Sequence, residues 1–290
     1  MRILVYGAGV LGSVFAARLH EAGHDVALLA RGGRLAALRR HGVQLAEEDG
    51  RTVRRVPVAV VEQPDGGYDL TAVLVRAHQV DAVLESLADL DGDVLFLHNW
   101  AGGPEPLGAV IGHERVLLGF GTAGGTMDGD VVRYRAPGFL TRRVATPIGE
   151  PDGRTTPRLE RIVRTFRTAG INSRIEPRMD AWLTTHAAFG VPLGQAVHTA
   201  GGPVALSQDP DAVRAMLRLM RRSLTALPAP PVPRGLAALH TLPEGLLVAA
   251  LRRFLRSPTA VHSGLSNTSP AEAAELARLA EQLGARTRSR

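Results

Sequence analysis

The chain contains no cysteine and no lysine: all 34 Lys+Arg positions among its 290 residues are arginine. The first absence removes disulfides, thiolate nucleophiles and thiolate metal ligands. The second closes any mechanism that needs a lysine as proton donor, because arginine stays protonated throughout the working pH range. Aromatic residues make up only 4% of the chain, which argues against a stacking platform for nucleic acid. No apolar run reaches the length of a membrane span, and the N-terminus enters a strand with no signal peptide before it. These absences lead to the expectation of a cytoplasmic protein that engages neither nucleic acid nor membrane and holds no metal.

What is present describes an ordinary globular chain. Hydrophobic residues make up 45%, and the length can bury a good core and divide into two domains. The net charge of +6 is spread along the sequence, so a solvated surface and an anionic ligand account for it.

The first twenty residues organise the rest. Ile3 to Tyr6 form a short apolar β run, followed by Gly7-Ala8-Gly9-Val10-Leu11-Gly12, and then Val14, Phe15 and Leu19 recur at helical spacing. A strand, a G-x-G-x-x-G turn and a helix in that order form a dinucleotide-binding unit. The first glycine makes the tight turn and the second lets the backbone approach a pyrophosphate. The third lets the helix pack close, and the helix N-terminus offers N–H groups to the anion. The plainer reading is a merely tight βα turn.

The next strand, His24 to Ala30, selects the nucleotide. An NAD site places an acid at its end, about 20 residues past the glycines, to hold the ribose 2′-hydroxyl. Here the segment reads Ala30-Arg31-Gly32-Gly33-Arg34. Arg31 suits a 2′-phosphate through its planar donor fork, with Arg34 as second candidate, so NADP is the expected cofactor. The alternative is a solvated loop arginine.

Further on, a helix over Leu35 to Arg40 leads to a strand from Val43, a turn at Glu47 to Gly50, and one β run over Val53 to Val61. Strands follow over Tyr68 to Val75 and Asp93 to His98. The first ends at Arg76-Ala77-His78-Gln79 and the second at Asn99-Trp100. Ligands of open parallel sheets sit beyond carboxyl strand ends, which makes Arg76, Gln79 and Asn99 candidate cofactor contacts. Loop capping is the bland alternative, and His98 reads as a satisfied strand-end histidine. Three β runs, Val116 to Ala123, Val131 to Arg135 and Leu140 to Ile148, suggest an antiparallel extension of the sheet. Thr156-Pro157 opens a helix closed by Gly170, and Ile171 to Ile175 is the last strand.

Beyond Arg178 the period becomes helical. The expected division is a Rossmann domain over 1–178 and an all-helical domain over 179–290. Gly190 and Pro192 should end or kink the helix that starts at Asp180. Asp209-Pro210 caps another helix, and prolines 228 to 233 make an extended connector. The helix after Pro243 should turn Leu246, Leu247, Ala250, Leu251, Phe254 and Leu255 inward. Ser269 to Glu272 is a capping box opening a helix that Gly284 ends, with a loose tail over 286–290.

Several of these motifs together resemble the ketopantoate reductases (2-dehydropantoate 2-reductases). Gly7 to Gly12 is similar to their dinucleotide loop, Asp69 to Gln79 to their D-L-V-L-V-x-V-K-A-x-Q, and Leu97 to Gly102 to their L-x-N-G-x-G. The run Gly121 to Gly149 resembles their β extension, and Asp180-Ala181-Trp182 their entry into the helical domain. The resemblance implies an α/β fold, an N-terminal Rossmann domain with an antiparallel extension followed by an all-helical domain. It implies an NADPH-dependent reductase acting on a small molecule in the interdomain cleft, and leaves a homodimer open.

The departures are as informative. The family's strand-end lysine is Arg76 here, and its catalytic lysine, two residues after the tryptophan, aligns with Thr184. Its two helix asparagines align with Ala188 and Pro192, and its C-terminal serine and acid pattern is not recognisable in Ser257 to Asn267. Hydride transfer to a carbonyl develops alkoxide charge and calls for a donor. Asn99, Thr184 and His186 are the candidates for catalysis, although His186 lies two residues from Thr184 on a helix and points elsewhere. His262 and Ser266 stand where further substrate contacts would fall, with Glu272 or Glu275 in related space. The expected function is reduction of a carbonyl or imine other than ketopantoate itself. The rival, from another class, binds NADP(H) without redox turnover, as a sensor or a fold recruited for non-redox chemistry.

Overall fold

The computed structural model describes residues 1–48, 50–122, 124–135, 144–261 and 269–288. The chain divides into two compact units, one of residues 1–98 and 104–179, the other of residues 99–103 and 180–290.

The first unit runs β1 (Arg2–Tyr6), α1 (Val10–Glu21), β2 (Asp25–Leu29), α2 (Gly32–His41), β3 (Val43–Glu47), β4 (Arg54–Val56), β5 (Ala59–Val61) and β6 (Leu70–Val73). It continues with α3 (Asp81–Ala88), β7 (Asp93–Leu97), α4 (Glu105–Ile111), β8 (Val116–Gly119), β9 (Gly125–Asp128), β10 (Val131–Tyr134), β11 (Thr146–Gly149), α5 (Pro157–Thr168) and β12 (Ser173–Ile175). Its main sheet has the order β12-β11-β8-β7-β6-β1-β2-β5. All neighbours from β5 to β8 are parallel, while β11 lies antiparallel to β8. This is a Rossmann-type sheet with an antiparallel extension. Strand order reverses at β1, where Tyr6 is in register with Leu29 on one side and Val73 on the other. That reversal is where open α/β sheets bind ligands.

The strands are continuous in apolar residues because helices cover both faces. Ile3, Val5, Leu28, Leu70 and Leu95 join Val14 and Phe15 of α1 and Leu159, Ile162 and Phe166 of α5 in one core. The Phe15 and Phe166 rings meet edge to face at 5.7 Å.

The second unit holds α6 (Met179–Ala200), α7 (Pro203–Gln208), α8 (Pro210–Thr225), α9 (Ala238–Thr241), α10 (Glu244–Leu255), α11 (Pro258–Val261) and α12 (Pro270–Arg288). Its core joins Leu193 and Val197 to Leu206, Val213, Met216, Leu217, Met220, Leu247, Val248 and Leu255.

Several local expectations are corrected. The run Val53 to Val61 is two strands in two sheets: β4 pairs with β3, and β5 crosses to β2. Pro57 separates them, since it has no N–H to continue a ladder. The closely spaced strands β9 and β10 join β3 and β4 in a second, four-stranded sheet rather than the main one. Helices α4, α7 and α11 are too short to show a period in sequence. Pro192 does not end α6, which runs 22 residues. Buried Leu183, Ala187, Ala188, Val191 and Leu193 supply more than the missing hydrogen bond removes. On α10, Leu246 is 59% and Phe254 38% exposed, and Ala250 is exposed as well, so the buried stripe is the narrower one of Leu247, Val248 and Leu255. Gly284 does not end α12, which continues to Arg288 because Gly284 does not adopt the left-handed conformation of a cap. The start of the run from Leu140, together with His262 and Ser266, lies outside the described residues.

Candidate functional site

At the end of β1 the chain turns at Gly7, whose φ of +114° suits glycine. A Cβ on Gly7 would lie 2.7 Å from the Leu74 carbonyl oxygen beyond β6, and one on Gly12 would lie 1.8 Å from the carbonyl oxygen of Gly7. Both positions therefore require glycine for closeness. Gly9 differs, with no heavy atom within 4 Å of its Cβ position. Gly9 is also the N-cap of α1, where no side chain satisfies the first amides and the first turn carries no acid. An open cradle over uncapped N–H groups fits a phosphate. Ala8, Val10 and Leu11 complete the loop, and the Leu11 side chain faces Gly121, which has no room for a Cβ.

The two arginines after β2 are placed differently. Arg31 is exposed and donates from Nη2 to the Tyr6 hydroxyl at 3.0 Å. That hydroxyl also lies 3.0 Å from Ser86 Oγ. Arg34 turns inward: it bonds the Ala8 carbonyl at 3.2 Å, Ser13 Oγ at 3.1 Å and the Asp130 carbonyl at 2.9 Å. Burial lowers its pKa, offset in part by Asp130. Arg34 braces the glycine loop, and Arg31 keeps its guanidinium at the surface.

Arg76 precedes a 3-10 turn over Ala77–Gln79, and the Gln79 side-chain carbonyl accepts from the Arg76 backbone N–H at 3.0 Å. This pair is a cap beyond the carboxyl end of β6. His98 is buried, and that burial pushes its pKa down to about 4. It is uncharged at neutral pH.

In the second unit, α12 runs beside the loop Asn99–Gly103. Glu275 Oε1 accepts from Asn99 Nδ2 at 3.2 Å, and Gln282 Oε1 accepts from the Ala101 N–H at 3.0 Å. Trp100 Nε1 donates to the Gly103 carbonyl at 2.7 Å and fixes the loop's own shape. One turn beyond Gln282, Arg286 reaches α6. It donates to Asp180 Oδ1 at 2.6 Å and Oδ2 at 2.7 Å, and to Thr184 Oγ1 at 3.2 Å. Asp180 raises the arginine's pKa further. Thr184 is buried, and its hydroxyl donates to the Asp180 backbone carbonyl at 2.7 Å. Its one hydrogen is thus committed, and only a lone pair is left, which faces Arg286.

His186 stacks on Trp182 at 5.1 Å with an interplanar angle of 7°. Burial lowers its pKa to about 4. Structure therefore brings Asn99 to Glu275 and Thr184 to Arg286, and sets His186 against an indole. Sequence reasoning missed Arg286 and Gln282. Their signal was present: Glu275, Gln282 and Arg286 recur at the spacing of one helix face, but the face is visible only if the helix passes Gly284.

Residues 3–142 match the family model described as "Ketopantoate reductase PanE/ApbA". A 2-dehydropantoate 2-reductase of Archaeoglobus fulgidus is 33% identical over 194 residues, 65% of this chain and 62% of that protein. The chain thus spans about three fifths of the curated relatives it matches. Among solved structures, a putative ketopantoate reductase from Ralstonia solanacearum superposes with a TM-score of 0.72 at 21% identity, covering 98% of both chains. D-mandelate dehydrogenase, solved with NADH and anilino(oxo)acetate, gives 0.70 at 16% identity over 100% of this chain and 99% of that one. These likenesses bear out the α/β fold with its helical second part, and the resemblance to the ketopantoate reductases.

Proposed function

We propose that this relative of the ketopantoate reductases is an NADPH-dependent reductase of a small carbonyl or imine compound. One observation carries the reading: an open, uncapped glycine cradle at the sheet's reversal point, with the surface arginine Arg31 after β2 where an NAD enzyme holds an acid. Residues Gly7 to Gly12 would hold the pyrophosphate, and Arg31 the 2′-phosphate. Arg34 would act indirectly, by fixing the Ala8 carbonyl and hence the loop. Arg76, Gln79 and Asn99 are the further proposed contacts. When bound, the reduced dinucleotide supplies the hydride.

The chain's own task is to polarise the acceptor and stabilise charge developing on its oxygen. Asn99 retains an amide hydrogen beyond the one given to Glu275. Thr184 cannot serve as a hydrogen donor to substrate while its hydroxyl bonds the Asp180 carbonyl. It serves instead as an acceptor that orients Arg286. His186, packed on Trp182, is a packing residue in this reading.

The committed Thr184 hydrogen and the missing lysine also favour a second reading, retention of the dinucleotide without turnover. NADPH and NADH titration followed by NADPH oxidation against 2-oxo acids, ketones and imines separates the two. The reductase reading expects NADPH to be retained more tightly than NADH and oxidised by at least one acceptor. Retention with no oxidation by any acceptor leaves the second reading, and loss of both nucleotides overturns both.

A further inference from the structure

We infer that Tyr6 is a positioning residue for nucleotide selection: its hydroxyl holds the Arg31 guanidinium in place without neutralising it. The inference rests on the reading that Arg31 meets the 2′-phosphate, and names the residue that prepares it to do so.

Tyr6 is the last residue of β1, and the chain turns at Gly7 directly after it. Its backbone is held on both sides, in register with Leu29 of β2 and Val73 of β6, and its carbonyl accepts from the Leu74 N–H at 2.9 Å. Only 2% of the residue is exposed. The hydroxyl therefore sits on one of the most rigid parts of the sheet.

The direction of its hydrogen follows from Ser86 on α3. A serine has one hydroxyl hydrogen, and Ser86 gives it to the Val83 carbonyl at 2.8 Å. Ser86 Oγ is thus the acceptor in its 3.0 Å contact with Tyr6, and the phenol hydrogen goes to it. The Tyr6 oxygen keeps its lone pairs, and one of them accepts from Arg31 Nη2 at 3.0 Å. Every hydrogen in the relay from Arg31 through Tyr6 and Ser86 to the Val83 carbonyl points the same way.

Arg31 has no other anchor. It donates to no other described residue and pairs with no described carboxylate. It is the N-cap of α2, followed by Gly32 and Gly33, where an added Cβ would meet nothing within 4 Å. An exposed arginine in such open space samples many rotamers, and ordering it on binding costs affinity. An acid in place of the phenol would also order the group, but its charge would offset the arginine's and repel a phosphate. A hydroxyl orders the guanidinium and leaves the rest of its donor fork for the ligand. The plainer role is a core ring whose hydroxyl is satisfied by Ser86 alone, and the experiment must separate the two.

Adenosine 2′,5′-bisphosphate and adenosine 5′-monophosphate, which differ only in the 2′-phosphate, are titrated calorimetrically into the full chain. The native chain should prefer the bisphosphate by about tenfold or more. Tyr6→Phe keeps the ring and should cut that preference about fivefold, the scale of one hydrogen bond, with the monophosphate unchanged. In an Arg31→Gln background the same substitution should change nothing, because Tyr6 acts through Arg31. If Tyr6→Phe does not fold by circular dichroism, Ser86→Ala carries the decision: it leaves the phenol hydrogen undirected and should cut the preference about twofold. A preference untouched by Tyr6→Phe, equal weakening of both ligands, or the same loss with and without Arg31 would overturn the inference and leave the role of Arg31 standing. A native chain with no preference would overturn the Arg31 reading itself, and this inference with it. The reductase reading fails on a different observation, absent NADPH oxidation, which leaves the ratio of the two affinities readable.

Discussion

Arg286 and Asp180 meet as an end-on bidentate pair, at 2.6 and 2.7 Å, across 106 residues of sequence. Each side chain is about a quarter exposed, at 25% and 28%, so the pair is drier than a surface ion pair without the full desolvation cost of a buried one. A double-mutant cycle of Asp180→Asn and Arg286→Gln should give a coupling energy of about 1 kcal/mol in chemical denaturation. A coupling of zero would show that the two residues do not hold α12 against α6.

Arg31 and Arg34 should separate cleanly. Arg31→Glu places a carboxylate where a 2′-phosphate would sit, and should cut NADPH affinity by about 100-fold while sparing or improving NADH, by the ribose-recognition rule. Arg34→Ala should lower both affinities together and lower the melting temperature. It removes bonds to Ala8, Ser13 and Asp130 that brace the loop. Equal loss of NADPH preference in both variants would contradict this division.

Gly12→Ala tests the closeness of the opening turn. The added methyl would stand 1.8 Å from the Gly7 carbonyl oxygen, so α1 must shift or the turn must break. We expect a destabilisation of about 3 kcal/mol and loss of dinucleotide retention. Gly9→Ala meets no protein atom within 4 Å and should leave stability nearly unchanged. Its effect should fall on nucleotide affinity alone.

Buried His98 makes stability depend on pH. Its pKa falls from 6.5 to about 4 in the folded chain, with burial as the main cause. The unfolded state therefore binds more protons between these values, and stability falls as pH drops from about 6.5 toward 4. Urea unfolding of the native chain against His98→Gln at pH 7 and pH 4.5 measures the share owed to this residue. The native chain should lose on the order of 2 kcal/mol more than the variant over that interval. Parallel losses would assign the acid sensitivity to other groups, His186 among them.

Local rules were enough wherever the chain's neighbours in sequence are also its neighbours in space. The glycine turn was legible because Gly7 and Gly12 touch each other. The same holds for the Thr156 and Asp209 caps, each of which accepts from an amide within three residues. Where two sheets compete for one apolar run, as at Val53 to Val61, sequence shows β structure but not the change of partner at Pro57. Burial of α6 on several sides likewise outweighs the local penalty of Pro192.

The sequence alone determined that this chain has a dinucleotide-type opening, no lysine, and a threonine at position 184. It could not say what stands beside that threonine. Gly284 is a natural helix stop by propensity, and read that way Arg286 belongs to a tail. The fold carries α12 on to Arg288, so that a guanidinium reaches Asp180 and Thr184 and α12 lines the loop from Asn99 to Gly103. The energy that decides this lies in contacts between residues a hundred or more apart, which no local window contains.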